Sequence, residues 1–267
     1  MADNILDRED IKESHMVPIK DGKFLFDCHP AVPCFTQCCS DLNLALTPYD
    51  VLRLKNRLEI SSGEFLDHHT TDEVKHNCGL PVVMFRMNND SRRNCPFLDP
   101  NGCSVYEDRP GSCRLYPVAR AAKYIGGKVK ERHFLVKEPH CLGFQQDREW
   151  TGQEWMKDQG LDIYNEMNTL WMNINQGMGE RRDPPPITGD KVKMYFMSCY
   201  NLDMFRKFVF ESTLLKSFQI DRKTIARIHA DEMELLKFAF RWIAFAIFGK
   251  QTMKVKPALR KAKRRSY

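Results

Sequence analysis

No run of about 20 apolar residues interrupts this chain, and that is the length a helix needs to cross a bilayer. The most apolar stretch, residues 235–248, carries Lys237 and Arg241 four apart on one helix face. That pattern fits a core helix with one solvated edge rather than a membrane-surface helix. The first 16 residues hold five acidic side chains, two basic ones and no apolar run, so nothing reads as a secretory leader and a cytoplasmic setting is expected. A glycine-rich phosphate loop, a serine hydrolase elbow and a metalloprotease helix motif are all missing, and no repeat of fixed period occurs. No recognisable methyl-donor site occurs either. The sequence also lacks any Cys-x2-Cys pair, which removes the usual signature of zinc ribbons, zinc fingers and thioredoxin-type redox motifs. Cys34-x3-Cys38 begins like a radical-SAM cluster motif, but the third position is Asp41.

Cysteine itself is plentiful. Of ten cysteines, eight fall into two groups of four, Cys28, Cys34, Cys38 and Cys39, then Cys95, Cys103, Cys113 and Cys141. In a reducing compartment disulfides are rare, so such a framework points to metal or redox chemistry. Thiolate sulfur is a soft ligand, and four suffice for a tetrahedral zinc site or an iron-sulfur cluster. The adjacent pair Cys38 and Cys39 diverges in any regular conformation, to opposite faces of a strand or by about 100° around a helix. The pair therefore serves one centre through a loop, or two neighbouring centres, and at least one of the two is expected to join ligands of the second group. Cys78 and Cys199 stand outside the groups and read as small buried hydrophobes. His29 and His140 each neighbour a grouped cysteine and are alternative ligands.

A chain of 267 residues with 42% hydrophobic content can bury a core without metal staples. The formal charge of +6 is concentrated at one end, because residues 250–267 hold eight Lys or Arg and no acid. This basic tail is the one candidate for nucleic-acid or anionic-membrane contact, although a terminal charge run usually reads as a solvated, mobile tail.

Start signals punctuate the chain. Thr47, Pro48 and Asp50 form a capping-box helix start, and Ser61 with Glu64 and Thr151 with Glu154 give two more. Residues 80–87 read as a strand, Asp99 to Gly102 as a turn, and Gly126-Gly127 as the turn of a hairpin. Beyond about residue 147 the pattern is helical through residue 176, broken at residues 183–186, and helical again over 202–218 and 225–248, with Gly249 as a stop. The expected fold class is α+β. Its expected parts are an N-terminal segment (1–23), a loop-rich cysteine-cluster metal-binding domain (24–146), a mostly helical region (147–249) and the basic tail (250–267).

Taken in order, these residues carry a resemblance. The cysteines from Cys28 through Cys39 lead into Leu46, Thr47, Pro48, Asp50 and Leu54. Cys95-Pro96-Phe97-Leu98, Gly102 to Tyr106, Arg109-Pro110, Cys113 to Pro117 and Cys141 follow. Over residues 24–145 the chain resembles the YkgJ-type cysteine-cluster family. The usual first cluster of that family is Cys-x2-Cys-x2-Cys-Cys, whereas the spacing here is five and three. The resemblance implies chelation of zinc or iron in a bacterial protein, and residues 195–248 look like the helical extension of one bacterial subgroup. A flagellin lysine N-methylase shares the same type of motif, so the resemblance also admits an enzymatic use.

The expected function is that of a cysteine-ligated metal-binding protein, with zinc or an iron-sulfur cluster as cofactor and a role in redox chemistry, electron transfer or metal handling. A metal-dependent protein-modifying enzyme, such as a lysine N-methyltransferase, and a nucleic-acid-binding module are the alternatives. Metal ions are the expected partners, with room for a protein partner. Arg109 and Arg114 either face the negative charge of a thiolate centre or pair at the surface with Glu107, Asp108 or Asp50. Tyr106 and Tyr116 read as packing residues.

Overall fold

The computed structural model describes residues 15–77, 80–125, 128–174 and 187–257. Short antiparallel strands and a helical C-terminal region make the chain α+β. Its contacts sort into two compact units, each made of two chain segments: Met1–Leu44 with Met87–Asn165, and Ala45–Arg86 with Glu166–Tyr267. The sequence division at residue 147 follows composition, whereas these units follow contact and interleave along the chain.

All eight grouped cysteines lie in the first unit. Its frame is a three-stranded antiparallel sheet in which Lys128–Val136 is central between Met16–Pro18 and Val118–Ile125. Ile125 pairs with Lys128, so the strands meet as the hairpin expected from Gly126-Gly127, although those two glycines lie outside the described residues. Lys23–Leu25 pairs with Glu149–Thr151. Thr151 then caps the Gly152–Asp158 helix in the reciprocal arrangement with Glu154 that the sequence announces.

Aromatic burial consolidates this unit. Phe24, Phe26, Val118, Leu135, Trp150 and Trp155 form its core, with Tyr116, Cys141 and Phe144 packed against it. Phe26 meets Phe144 and Trp155 edge to face at 5.3 and 5.5 Å, geometry that suits ring quadrupoles. The polar edges of both indoles are satisfied, Trp150 donating to the Phe26 carbonyl and Trp155 to the Leu115 carbonyl, each at 2.9 Å.

In the second unit, Leu80–Phe85 is the central strand between Ala45–Leu46 and Thr70–Asn77. The capping boxes at Thr47 and Ser61 open the helices Pro48–Arg57 and Ser62–His69. The helix Glu232–Ala246 buries Leu235, Leu236, Phe238, Ala239, Phe240, Trp242, Ile243 and Ala244, while Arg241 stays exposed. This is the core helix with a solvated edge that its sequence predicts. Among the described residues no helix is long and apolar enough to cross a membrane.

Several helical expectations need correction. Residues 202–218 form two helices, Leu202–Glu211 and Leu214–Ser217, because Ser212 is extended. Residues 225–248 belong to two helices as well, Arg222–Ala230 and Glu232–Ala246. Asp231 divides them by turning extended and accepting the N–H groups of Met233 and Glu234 as an N-cap. The Asp190–Cys199 helix lies in a stretch that the sequence left without a helix. The expected break at residues 183–186 lies outside the described residues. Gly249 does end its helix at positive φ. Beyond it, however, the chain is tied down: Met253 is buried, Phe218 bridges to Val255, and the ammonium groups of Lys250 and Lys256 donate to the carbonyls of Asn173 and Leu215. The expected free tail therefore cannot begin at residue 250, and residues 258–267 lie outside the described residues.

Candidate metal centre

Residues 28–39 wind through successive tight turns, with Val32 bonding back to His29, Phe35 to Val32, Gln37 to Cys34 and Cys39 to Thr36. Thr36 takes a left-handed φ of 68° to enter the short 3-10 turn Gln37–Cys39. A second segment runs antiparallel alongside. Asp41 N–H donates to the Arg93 carbonyl and Cys95 N–H to the Cys39 carbonyl at 2.8 Å, around a Ser40–Asn94 bridge. Asp90 steadies that segment by accepting the N–H groups of Arg92 and Asn94. The two cysteine groups, some 56 positions apart in sequence, thereby become neighbours at Cys39 and Cys95.

A third segment arrives from the far end of the second group. Cys141 follows the strand Lys128–Val136, and its N–H bonds to the Glu138 carbonyl. Next to it, Leu142 N–H donates to the Cys34 sulfur at 3.1 Å and Asp27 N–H to the Gly143 carbonyl at 3.1 Å. Gly143 permits this approach, because a Cβ there would stand 2.6 Å from Phe26 Cε2 and 2.9 Å from the Asp27 carbonyl oxygen. Cys141 is thus carried to the first group.

The thiols register one another's charge. Residue 28 as a whole is exposed, yet the enclosure of its sulfur, followed by the charges of Cys38, Cys34, Cys141 and Asp27, pushes the Cys28 thiol up to about 11. Cys38 is raised far above the ordinary thiol value, first by a hydrogen bond with the Cys39 thiol and then by burial. The adjacent pair therefore turns toward itself within a 3-10 turn, in place of the divergence expected of regular backbone. Burial raises Cys141, while the Tyr116 hydroxyl and the Gly143 N–H pull it back.

Cys95 and Cys103 form a second association. Burial raises both, each is lowered by following backbone N–H groups (Phe97 and Leu98 for Cys95, Val105 for Cys103), and Cys95 feels the charge of Cys103. Cys103 ends the small hairpin in which Leu98 pairs with Cys103 and Asp99 with Gly102, the turn expected from sequence. Cys113 lies on the short helix Gly111–Leu115.

Among the described residues, no three His, Cys, Asp or Glu side chains already stand in a metal-holding arrangement. The donor set nevertheless fits zinc or an iron-sulfur cluster, because soft thiols carried on separate segments repel one another as anions and accept backbone N–H groups that favour the thiolate. A shared cation would relieve that repulsion.

Other sequence candidates fall differently. His140 lies 3.5 Å from Glu138 and is 40% exposed, and His29 is half-buried in the loop. Cys199 is buried in the second unit beside Tyr195, and Cys78 lies outside the described residues. Arg109 and Arg114 are both buried, which excludes the expected alternative of surface ion pairs. Tyr106 is half-exposed under the Arg109 guanidinium at 3.7 Å, so it stacks rather than fills a core. Tyr116 does pack on Phe26, but its hydroxyl also donates to Glu138 at 3.0 Å and faces Cys141. Sequence reasoning missed Glu138. The one available signal was its place three residues before Cys141.

Residues 27–142 match the family model CxxCxxCC, described as a "putative zinc- or iron-chelating domain". The YkgJ-type resemblance read from the sequence fits the same family. No curated protein and no solved structure matches the chain.

Proposed function

We propose that this chain is a cytoplasmic protein that holds zinc or an iron-sulfur cluster through Cys28, Cys34, Cys38, Cys39, Cys95, Cys103, Cys113 and Cys141, and that it works in metal handling or redox chemistry. The observation that carries the reading is the approach of the Cys141 segment to the loop of Cys28, Cys34 and Cys38, where Leu142 N–H reaches the Cys34 sulfur, Cys28 feels the charge of Cys38, Cys34 and Cys141, and Cys141 feels that of Cys34 and Cys38. Zinc when bound would supply a fixed dication, and an iron-sulfur cluster would in addition exchange an electron.

The chain's own residues do the rest. The backbone N–H of Leu142 orients the Cys34 sulfur, and Gly143 lets the segment close on Asp27. Tyr116 steadies Cys141 from the core side, as outer partners of metal ligands do. The Phe26 aromatic cluster packs against Cys141 and shields that side from water.

The test is metal analysis of the full chain purified without oxygen, read together with its optical absorption. Bound zinc with a colourless solution, or bound iron with a brown one, supports the proposal. A folded, reduced and metal-free protein that takes up neither zinc nor iron would overturn it.

A further inference from the structure

Charge is divided unevenly along this chain, and the fold of the second unit gathers the positive share. Residues 214–230 and 249–257 hold seven Lys or Arg and one acid, and residues 258–267 add five bases and no acid. The remaining residues carry 29 bases against 34 acids and are net negative. An antiparallel bridge between Phe218 and Val255 joins the two described stretches, with Gln219 N–H donating to the Lys254 carbonyl at 2.8 Å and Lys256 N–H to the Ser217 carbonyl at 2.9 Å. Arg222 and Lys223 follow Gln219 by three and four residues, which keeps their Cα atoms within about 11 and 15 Å of it. Lys216, Arg222, Lys223 and Lys254 are exposed, and among the described residues none of the four has an ion-pair partner. Asp221, the one acid, accepts the Thr224 N–H and hydroxyl at 2.8 and 2.7 Å. Of the acids flanking these residues in sequence, Asp231 accepts the N–H groups of Met233 and Glu234, and Glu211 is exposed.

Beside Arg222 the helix Arg222–Ala230 forms an open apolar groove of about 470 Å³ with the end of the helix Leu202–Glu211. Phe210, Arg222, Ile225, Ala226 and His229 line it, and the Phe210 and His229 rings meet edge to face at 5.2 Å. Cations around a recessed apolar floor match a polyanion whose backbone meets lysine and arginine while a flat ring enters the groove. Single-stranded nucleic acid has that chemistry, whereas a duplex keeps its bases stacked inside. An anionic membrane calls instead for apolar side chains that project outward. The large hydrophobics exposed among the described residues, Val17, Leu25, Tyr106 and Met204, do not line this groove.

We infer that this face of the second unit binds single-stranded nucleic acid, with phosphates along Lys216, Arg222, Lys223 and Lys254 and a base in the groove of Phe210 and Ile225. Arg260, Lys261, Lys263, Arg264 and Arg265 add to the charge available for phosphates. The site uses none of the cysteines and does not depend on the metal-binding reading.

The experiment is fluorescence anisotropy of a labelled DNA single strand of about 15 nucleotides, titrated with the full chain as purified between about 50 and 200 mM salt. Log affinity should fall linearly with log salt, and Lys216→Gln, Arg222→Gln and Lys254→Gln should each reduce the slope by about 0.7. Ala226→Glu places an acid at an exposed position of the groove and should weaken binding roughly 10-fold. An abasic strand of the same length keeps the phosphates and should bind roughly 10-fold more weakly than the natural strand. Lys191→Gln, exposed on another helix, should change neither affinity nor the preference for bases. Absence of binding at about 50 mM salt, an abasic strand bound equally well, or an unchanged slope in the variant carrying all three glutamines would each overturn the inference. Capture by vesicles of phosphatidylserine and phosphatidylcholine without binding of the strand would overturn it too, in favour of a membrane surface.

Discussion

A methyl group added at Gly143 would have to occupy space already filled by Phe26 and by the backbone of Asp27. We expect Gly143→Ala to cost about 1–3 kcal/mol in chemical denaturation, the usual penalty of overpacking. It should also lower bound metal, since the same turn brings Leu142 N–H to the Cys34 sulfur. Cys199→Ser should leave metal per folded molecule unchanged, because that thiol is buried beside Tyr195 in the second unit. Metal analysis of the purified variants checks both statements. The cysteines were legible in the sequence because soft-ligand chemistry depends on residue type. Tyr116 and Glu138 were not, because a phenol and a carboxylate acquire their roles only when the chain carries them to Cys141. The burial of Arg109 and Arg114 was equally hidden, since a basic residue beside Glu107 and Asp108 reads as readily as a surface ion pair as it does as a partner of a thiolate centre until the fold shows its hydrogen bonds.

Helix starts lie at the other extreme of legibility. The boxes at Thr47, Ser61 and Thr151 are local chemistry, complete within four residues, and all three close as their sequence announces. Thr151→Ala should cost about 1 kcal/mol, the typical value of a lost cap, measured by denaturant unfolding. Helix ends within the C-terminal region were harder to see, because apolar periodicity runs on across Asp231 while the backbone there turns out to cap the next helix. Asp203 offers a pH test at this scale. Burial raises its carboxyl, but the backbone N–H and hydroxyl of Ser62, then the charges of Lys55 and Arg206, outweigh that and hold it below the ordinary 3.8. A carboxyl lowered on folding contributes stability above its unfolded value and loses it as pH falls through the lower folded value. The second unit should therefore lose stability from about pH 4 downward, and Asp203→Asn should flatten that slope in acid titrations followed by circular dichroism.

For the molecule as a whole, the two units are expected to answer metal differently. The first holds all eight grouped cysteines on loops and short strands, whereas the second is organised around the apolar Glu232–Ala246 helix. Removing metal should raise hydrogen exchange at residues 28–39, 93–103 and 138–143 while the helices of the second unit stay protected. Equal protection in both would make the metal peripheral to folding. The claim that thiols drawn from distant parts of the chain share a metal is tested most directly by X-ray absorption at the metal edge of protein purified without oxygen. The account predicts a first shell of sulfur alone, at about 2.3 Å for zinc, that is lost when Cys34 and Cys103 are both replaced by serine. A shell dominated by nitrogen or oxygen, or a sulfur shell that survives those replacements, would contradict it.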